Sequence, residues 1–139
     1  MKTADPYCIN GAEPNIVGQQ CTGLVLLHVY EGQRIIDQVN VAYLRFAEQW
    51  YCLYFECGTI FWRVSEAPAA PENFDPASGL LLNDLSGMEL LVGQIVLTVA
   101  YAGSESGDVR ALITFANSRS LEFDHSCEKD STLVRFLAY

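Results

Sequence analysis

Lysine and arginine are scarce in this chain of 139 residues: eight, against 17 aspartates and glutamates, for a formal net charge of −9. A surface so short of cations argues against nucleic acid and against an anionic membrane as partners, because both are bound through basic groups that reach phosphates and release counterions. The scarcity is uneven. Between Arg63 and Arg110 there is no Lys or Arg, while Glu66, Glu72, Asp75, Asp84, Glu89, Glu105 and Asp108 give the stretch seven negative charges. Two readings of that imbalance stay open: charges that keep the protein dissolved, and a field that steers it toward a basic partner.

Other absences are equally informative. No run approaches the ~18 consecutive apolar residues of a membrane helix, and the opening MKTADPYCING has no apolar segment of the signal-peptide kind. The five cysteines, at 8, 21, 52, 57 and 127, are odd in number and irregular in spacing, without the CxxC signature of zinc sites. Cys52 and Cys57, the close pair, have an odd separation that points them to opposite faces of a strand, poor geometry for a shared metal. Free thiols, a cytosolic location and no metal or cofactor are the expectation. Glycine-rich phosphate loops, GxSxG elbows and HExxH pairs are all missing. Of the two histidines, His28 lies in the apolar run LVLLHVY and reads as a core residue. His125 shares a strand face with Cys127, but such neighbours sit about 7 Å apart, too far for a nucleophile to be hydrogen-bonded to its base. No enzyme is expected.

What is present is apolar material in strand-like rhythm. Half of the residues are hydrophobic and 18% are charged, and one domain over 1–139 would bury roughly 70% of its unfolded surface. Three blocks recur in order: TGLVLL with SGMELL, EGQRIIDQV with VGQIVLTV, and YLRFAEQWYCLYFE with LITFANSRSLEFD. They define a pseudo-repeat of 22–64 and 86–138, joined by a Pro-rich connection at 65–79, in which Gly32-Gln33 answers to Gly93-Gln94 and Phe46 to Phe115. Alternation and turn residues predict strands at Arg34–Val39, Val41–Phe46, Tyr51–Glu56 and Ile60–Val64 in the first copy. In the second they fall at Ile95–Ala102, Val109–Ala116, Ser120–Ser126 and Leu133–Ala138. Short helices are expected at Glu13–Gln20 and from an Asn83 or Asp84 cap through Leu91. The fold class is therefore mainly β: two antiparallel meanders forming a two-sheet sandwich or a partly open barrel, with one or two short helices.

The stretch YLRFAEQWYCLYFECGTIFWRV then raises a question, because it has apolar residues on both strand faces. The second copy answers which face is outward. In SLEFD, Leu121 and Phe123 are core and Ser120, Glu122 and Asp124 are outside, so by equivalence Leu53 and Phe55 are core while Cys52, Tyr54 and Glu56 point out. A four-residue loop at Ala47 to Trp50 would pair Phe46 with Tyr51 and Leu44 with Leu53, setting Tyr43 beside Tyr54 and Arg45 beside Cys52, with Trp50 in the loop. A three-residue loop at Ala116 to Ser118 would pair Ile113 with Leu121. The equivalent outward set of the second copy is Leu112, Thr114, Ser120 and Glu122. Tyr, Trp and Arg on an outward face have the composition of a binding hot spot. The competing reading is that this face is covered within the monomer.

The plan of an acidic β-rich chain, with Gly-Gln blocks followed by Leu44-Arg45-Phe46-Ala47 and by Leu-x-Phe strands at Leu53 and Leu121, resembles the small immunity proteins that bacteria encode beside polymorphic or contact-dependent toxins. That resemblance implies a one-to-one inhibitor whose acidic and aromatic surface occludes a toxin's basic active site. Its contact residues would be Tyr43, Arg45, Trp50, Cys52, Tyr54, Glu56, Asp84, Glu105 and Asp108. A homodimer stays open. The alternatives are a small-ligand-binding β-barrel, with an interior pocket lined by residues such as Tyr51 or Phe123, and an accessory subunit of a larger complex.

Overall fold

In a computed structural model, residues 6–69, 78–88 and 91–138 are described, and they form ten strands and no helix. In chain order these are β1 (Cys8–Asn10), β2 (Cys21–Glu31), β3 (Arg34–Phe46), β4 (Gln49–Glu56), β5 (Thr59–Ser65), β6 (Ser78–Asp84), β7 (Val96–Gly103), β8 (Val109–Phe115), β9 (Arg119–Ser126) and β10 (Ser131–Ala138). Six form one sheet in the order β1-β5-β4-β3-β2-β6, and four form a second in the order β10-β9-β8-β7. The result is a β-sandwich, and the sheets do not close into a barrel.

The period-two pattern explains both the strands and the core. Leu24 and Leu26 of β2, Ala42, Leu44 and Phe46 of β3, Leu53 and Phe55 of β4, and Ile60 and Trp62 of β5 are all buried. Opposite them lie Val96, Ala111, Ile113, Phe115, Leu121 and Phe123. Phe55 meets Phe123 across the interface at 6.0 Å between ring centroids. Burying such side chains stabilises by about 1.5–3 kcal/mol each. Trp62, the largest, satisfies its buried indole by donating Nε1–H to the Tyr101 hydroxyl at 2.9 Å, and Tyr101 in turn donates to Glu13 Oε1. Burial and the neighbouring Glu13 hold the Tyr101 hydroxyl well above its usual range, so it stays a donor.

Several expectations are corrected. Glu13 to Gln20 is a chain of turns, with Gln19 N bonded to Ile16 O, after which Gln20 bridges to Ile95 and Cys21 N bonds to Gln94 O. The segment's amides join the two sheets, which a helix could not do. Among the described residues the second expected helix is also absent. Asp84 ends β6, where its Oδ1 accepts the Ser86 amide at 2.9 Å, so it caps a turn, and Leu85 N bonds back to Leu24 O. Residues 89–90 of that expected helix, and 70–77 of the Pro-rich connection, lie outside the described residues.

Val41–Phe46 and Arg34–Val39 are one strand, β3, instead of two. Gly32 and Gln33, both at positive φ, turn β2 into β3, whereas Gly93-Gln94 leads into β7. The β3–β4 connection has two residues, not four: Phe46 pairs with Gln49, Arg45 with Trp50, Leu44 with Tyr51, Tyr43 with Cys52 and Ala42 with Leu53. Ala47 closes this tight turn by adopting φ 53°, a conformation that an alanine does not advertise in sequence. The register has slipped by two, so every side chain keeps its face. In the second sheet Ile113 pairs with Leu121 as expected.

Free thiols at all five cysteines were also expected, and the structure corrects this: Cys57, in the β4–β5 turn, and Cys127, in the β9–β10 turn, form a disulfide. Cys8, Cys21 and Cys52 are free. A separation of 70 residues carries no pairing signal. The topology alone brings the two turns to the same end of the sandwich, where Gly58 N also bonds to Gly107 O of the β7–β8 turn.

Candidate functional site

The outward face of the six-stranded sheet is built row by row from cross-strand pairs. One row runs Asp84, Val25, Tyr43, Cys52, Arg63 across β6, β2, β3, β4 and β5, and another runs Gly23, Arg45, Trp50, Ser65. Tyr54 is paired with Phe61, and the rings stack at 4.7 Å with only 3° between planes. Tyr43 is thus beside Cys52, not Tyr54, and Arg45 beside Trp50, not Cys52. Trp50 belongs to β4 and does not sit in the loop.

All five of Tyr43, Arg45, Trp50, Cys52 and Tyr54 are half-buried, which places them between the two sequence readings of a bare patch and a covered one. The Trp50 indole spans β3 at the level of Arg45 and reaches β2, where a Cβ at Gly23 would meet its Cη2 at 2.7 Å, so glycine is required there. Arg63 lies 5.6 Å from the Phe61 ring centroid and donates from Nη1 to Asn10 O and from Nη2 to Asn10 Oδ1, both at 2.7 Å. Arg45 is different. Its side chain has no hydrogen bond or ion pair among the described residues, and its Nε is buried without a partner. Burial raises the Tyr43 hydroxyl and the Cys52 thiol above their ordinary values, the latter against the pull of Arg63, so both are neutral donors at pH 7.

The acidic candidates divide. Glu56 ends β4 on this face and is exposed, and Asp84 sits on the edge strand β6 with its carboxyl held below the ordinary range by the Ser86 hydrogen bonds. Glu105 and Asp108 lie elsewhere, in the β7–β8 turn at the disulfide end, where Asp108 Oδ1 accepts the Cys127 amide at 2.9 Å. The same end holds His125, whose side chain is only 2% exposed. Its Nδ1 meets Thr132 Oγ1 at 2.9 Å, its ring stacks on Phe55, and its Nε2 has no hydrogen bond, with Asp130 Oδ1 at 3.9 Å. Desolvation keeps the imidazole below its ordinary pKa, against the opposing fields of Asp130, Asp37, Asp108 and Glu56. Cys127, being in the disulfide, is no nucleophile for His125.

The second sheet makes the contrast. Of the equivalent set, Ser120 donates to Thr114 Oγ1 at 3.2 Å, and Glu122 lies 3.3 Å from Arg110 Nε and 3.9 Å from Arg135. Asp124 receives Arg110 Nε at 2.6 Å. Burial and the adjacent Asp124 raise the Glu122 carboxyl, with the two arginines pulling the other way. This face therefore gathers its charges into ion pairs, with Asp124 Oδ2 left buried without a hydrogen bond, and Ser120 and Glu122, expected in solvent, are buried. An open groove of about 440 Å³ lies here, lined by Arg110, Asp124, Lys129 and Leu133 among others, while the space between the sheets at Phe123 is filled.

Sequence reasoning missed Gly23, Phe61 and Arg63. The signal for the last two was available, since TIFWRV alternates them with the buried Ile60 and Trp62; Gly23 had none, because only the fold brings Trp50 over it. Comparison with models of known protein families, with curated proteins and with solved structures yields no match.

Proposed function

We propose that the chain is a protein-binding inhibitor of the immunity type, which neutralises a cognate toxin by docking the outward face of its six-stranded sheet, and that it performs no catalysis itself. One observation carries the reading: this face presents Tyr43, Trp50, Tyr54 and Phe61 beside an arginine that has no side-chain partner among the described residues, whereas on the other sheet Arg110 and Arg135 lie against Glu122 and Asp124. Large rigid aromatics with arginine are the residues that dominate protein interfaces. Past Glu56, the turn linked by Gly58 N to Gly107 O leads off this face to Glu105 and Asp108 at the disulfide end. That acidic end suits a basic active site and supplies the steering charge. The ligand-carrier alternative has less to support it, because the intersheet space is occupied by Trp62, Phe46, Phe115 and Phe123.

Placement in the cytoplasm belongs to the same reading. The Cys57–Cys127 disulfide pulls toward an oxidising compartment, and among the described residues no helix is long and apolar enough to cross a membrane.

The test pairs the chain with the product of the toxin-like reading frame expected next to its gene. Trp50→Ala and Tyr54→Ala should each weaken binding by about 2 kcal/mol or more, with a stability loss of only about 1–2 kcal/mol for half-buried rings. Neutralising Glu105 and Asp108 should slow association and flatten its salt dependence while leaving dissociation nearly unchanged. Full protection against the toxin by folded Trp50→Ala and Tyr54→Ala variants would sink the proposal.

A further inference from the structure

We infer that Arg45 is the receptor for a carboxylate, an Asp or Glu side chain of the docking protein; the inference rests on the docking face proposed above and names the chemistry of one contact within it. The chain has 17 carboxylates for eight basic side chains, so an arginine in the middle of a sheet has ample opportunity for an internal partner. Arg110 and Arg135 take theirs from Glu122 and Asp124, and Arg63 takes Asn10. Arg45 takes none.

The cause is positional. Its cross-strand neighbours are Gly23 and Trp50, neither of which bears a charge. On this face Asp84 lies one row away, beyond Val25, and is engaged with Ser86. Glu56 lies at the opposite end of β4, six residues or about 20 Å from Trp50. The buried Nε is a donor out of water with no hydrogen-bond partner among the described residues, a state that costs about 1–3 kcal/mol and leaves the guanidinium's remaining N–H groups to meet a docking partner.

A guanidinium offers two parallel N–H donors that match the two oxygens of a carboxylate, and an amide cannot reproduce that fork. The flanking Trp50 and Tyr43 lower the local dielectric once a partner seals the face, so the pair gains over a water-exposed one. Cation at this end and the Glu56 carboxylate at the other give the face a direction. A partner must present an acid to Arg45 and basic groups about 20 Å away, which fixes its orientation as well as its sign.

The experiment selects binders from a displayed library of random dodecapeptides on the intact chain, then measures the affinity of the selected peptides for wild type, R45Q, R45K, W50A and Y54A. Recovered peptides should share an Asp or Glu at a fixed distance from an aromatic. Changing that acid to its amide, or Arg45 to Gln, should each cost at least tenfold in affinity, and the two changes together should cost no more than one alone. R45K should recover only part. If R45Q fails to fold, the acid-to-amide peptide still decides the point on wild-type protein. Peptides that require Trp50 and Tyr54 but ignore both the amide change and R45Q would overturn the carboxylate while leaving the docking face standing. Binders indifferent to Trp50, Tyr54 and Arg45, or no binders at all, would overturn both.

Discussion

His125 concentrates the residue-scale chemistry of the disulfide end. Its imidazole is packed against Phe55, with one nitrogen on Thr132 and the other without a hydrogen bond. Since its folded pKa lies below the ordinary 6.5, the unfolded chain binds more protons than the folded one as pH falls through that region. This group's contribution is therefore most favourable above about pH 6.5 and is lost progressively as the pH drops toward the folded value. Unfolding followed by denaturant between pH 7.5 and 5 should show stability declining, and His125→Asn, which keeps a group near Nδ1 but cannot titrate, should flatten that decline. An unchanged slope in the variant would assign the titration to other groups, among which the raised Glu122 acts with opposite sign.

At the scale of elements, β10 is one of the two edge strands of the second sheet, and β3 occupies its donors with side chains. Asp37 Oδ1 accepts the Thr132 amide at 2.9 Å as well as that of Val39, and Gln38 Oε1 accepts the Val134 amide at 3.1 Å. These bonds occupy donors that would otherwise invite another strand. Asp37→Ala should cost about 1–3 kcal/mol through unpaired amides and speed hydrogen exchange at Thr132 while leaving Val134 protected. Gln38→Ala should do the reverse. Equal exchange at both sites in both variants would mean the edge is protected by something else. The hairpin of β3 and β4 shows how much of an element was legible. The alternation in YLRF and WYCLYF assigns the right faces, because faces depend only on parity, but the pairing partners depended on Ala47 entering the left-handed region.

For the whole molecule, the disulfide is the long-range constraint. It ties a turn of the six-stranded sheet to a turn of the four-stranded one over 70 residues of chain, and chain-entropy reasoning puts its contribution at about 4 kcal/mol. Protein prepared without reductant and then denatured should titrate three thiols, rising to five after reduction, and Cys57→Ser should lower the stability by up to that amount. Five thiols before reduction would remove the bond and favour the cytoplasm; three would favour an oxidising compartment.

Composition and alternation were enough to determine a β-rich chain with Leu53 and Phe55 inside and Tyr43, Trp50 and Tyr54 outside, because a strand's two faces follow from local geometry and from which residues avoid water. They also placed β8 and β9 and their register, where the turn carries Asn117 and Ser118. What they could not decide were properties of chain segments far apart in sequence. The disulfide between Cys57 and Cys127, the glycine beneath Trp50 and the amides of β10 bonded by β3 all join residues with no local pattern in common. That Arg45 has no side-chain partner among the described residues belongs with them. Whether an arginine is paired depends on what two neighbouring strands set beside it, and here the sheet set down a glycine and a tryptophan.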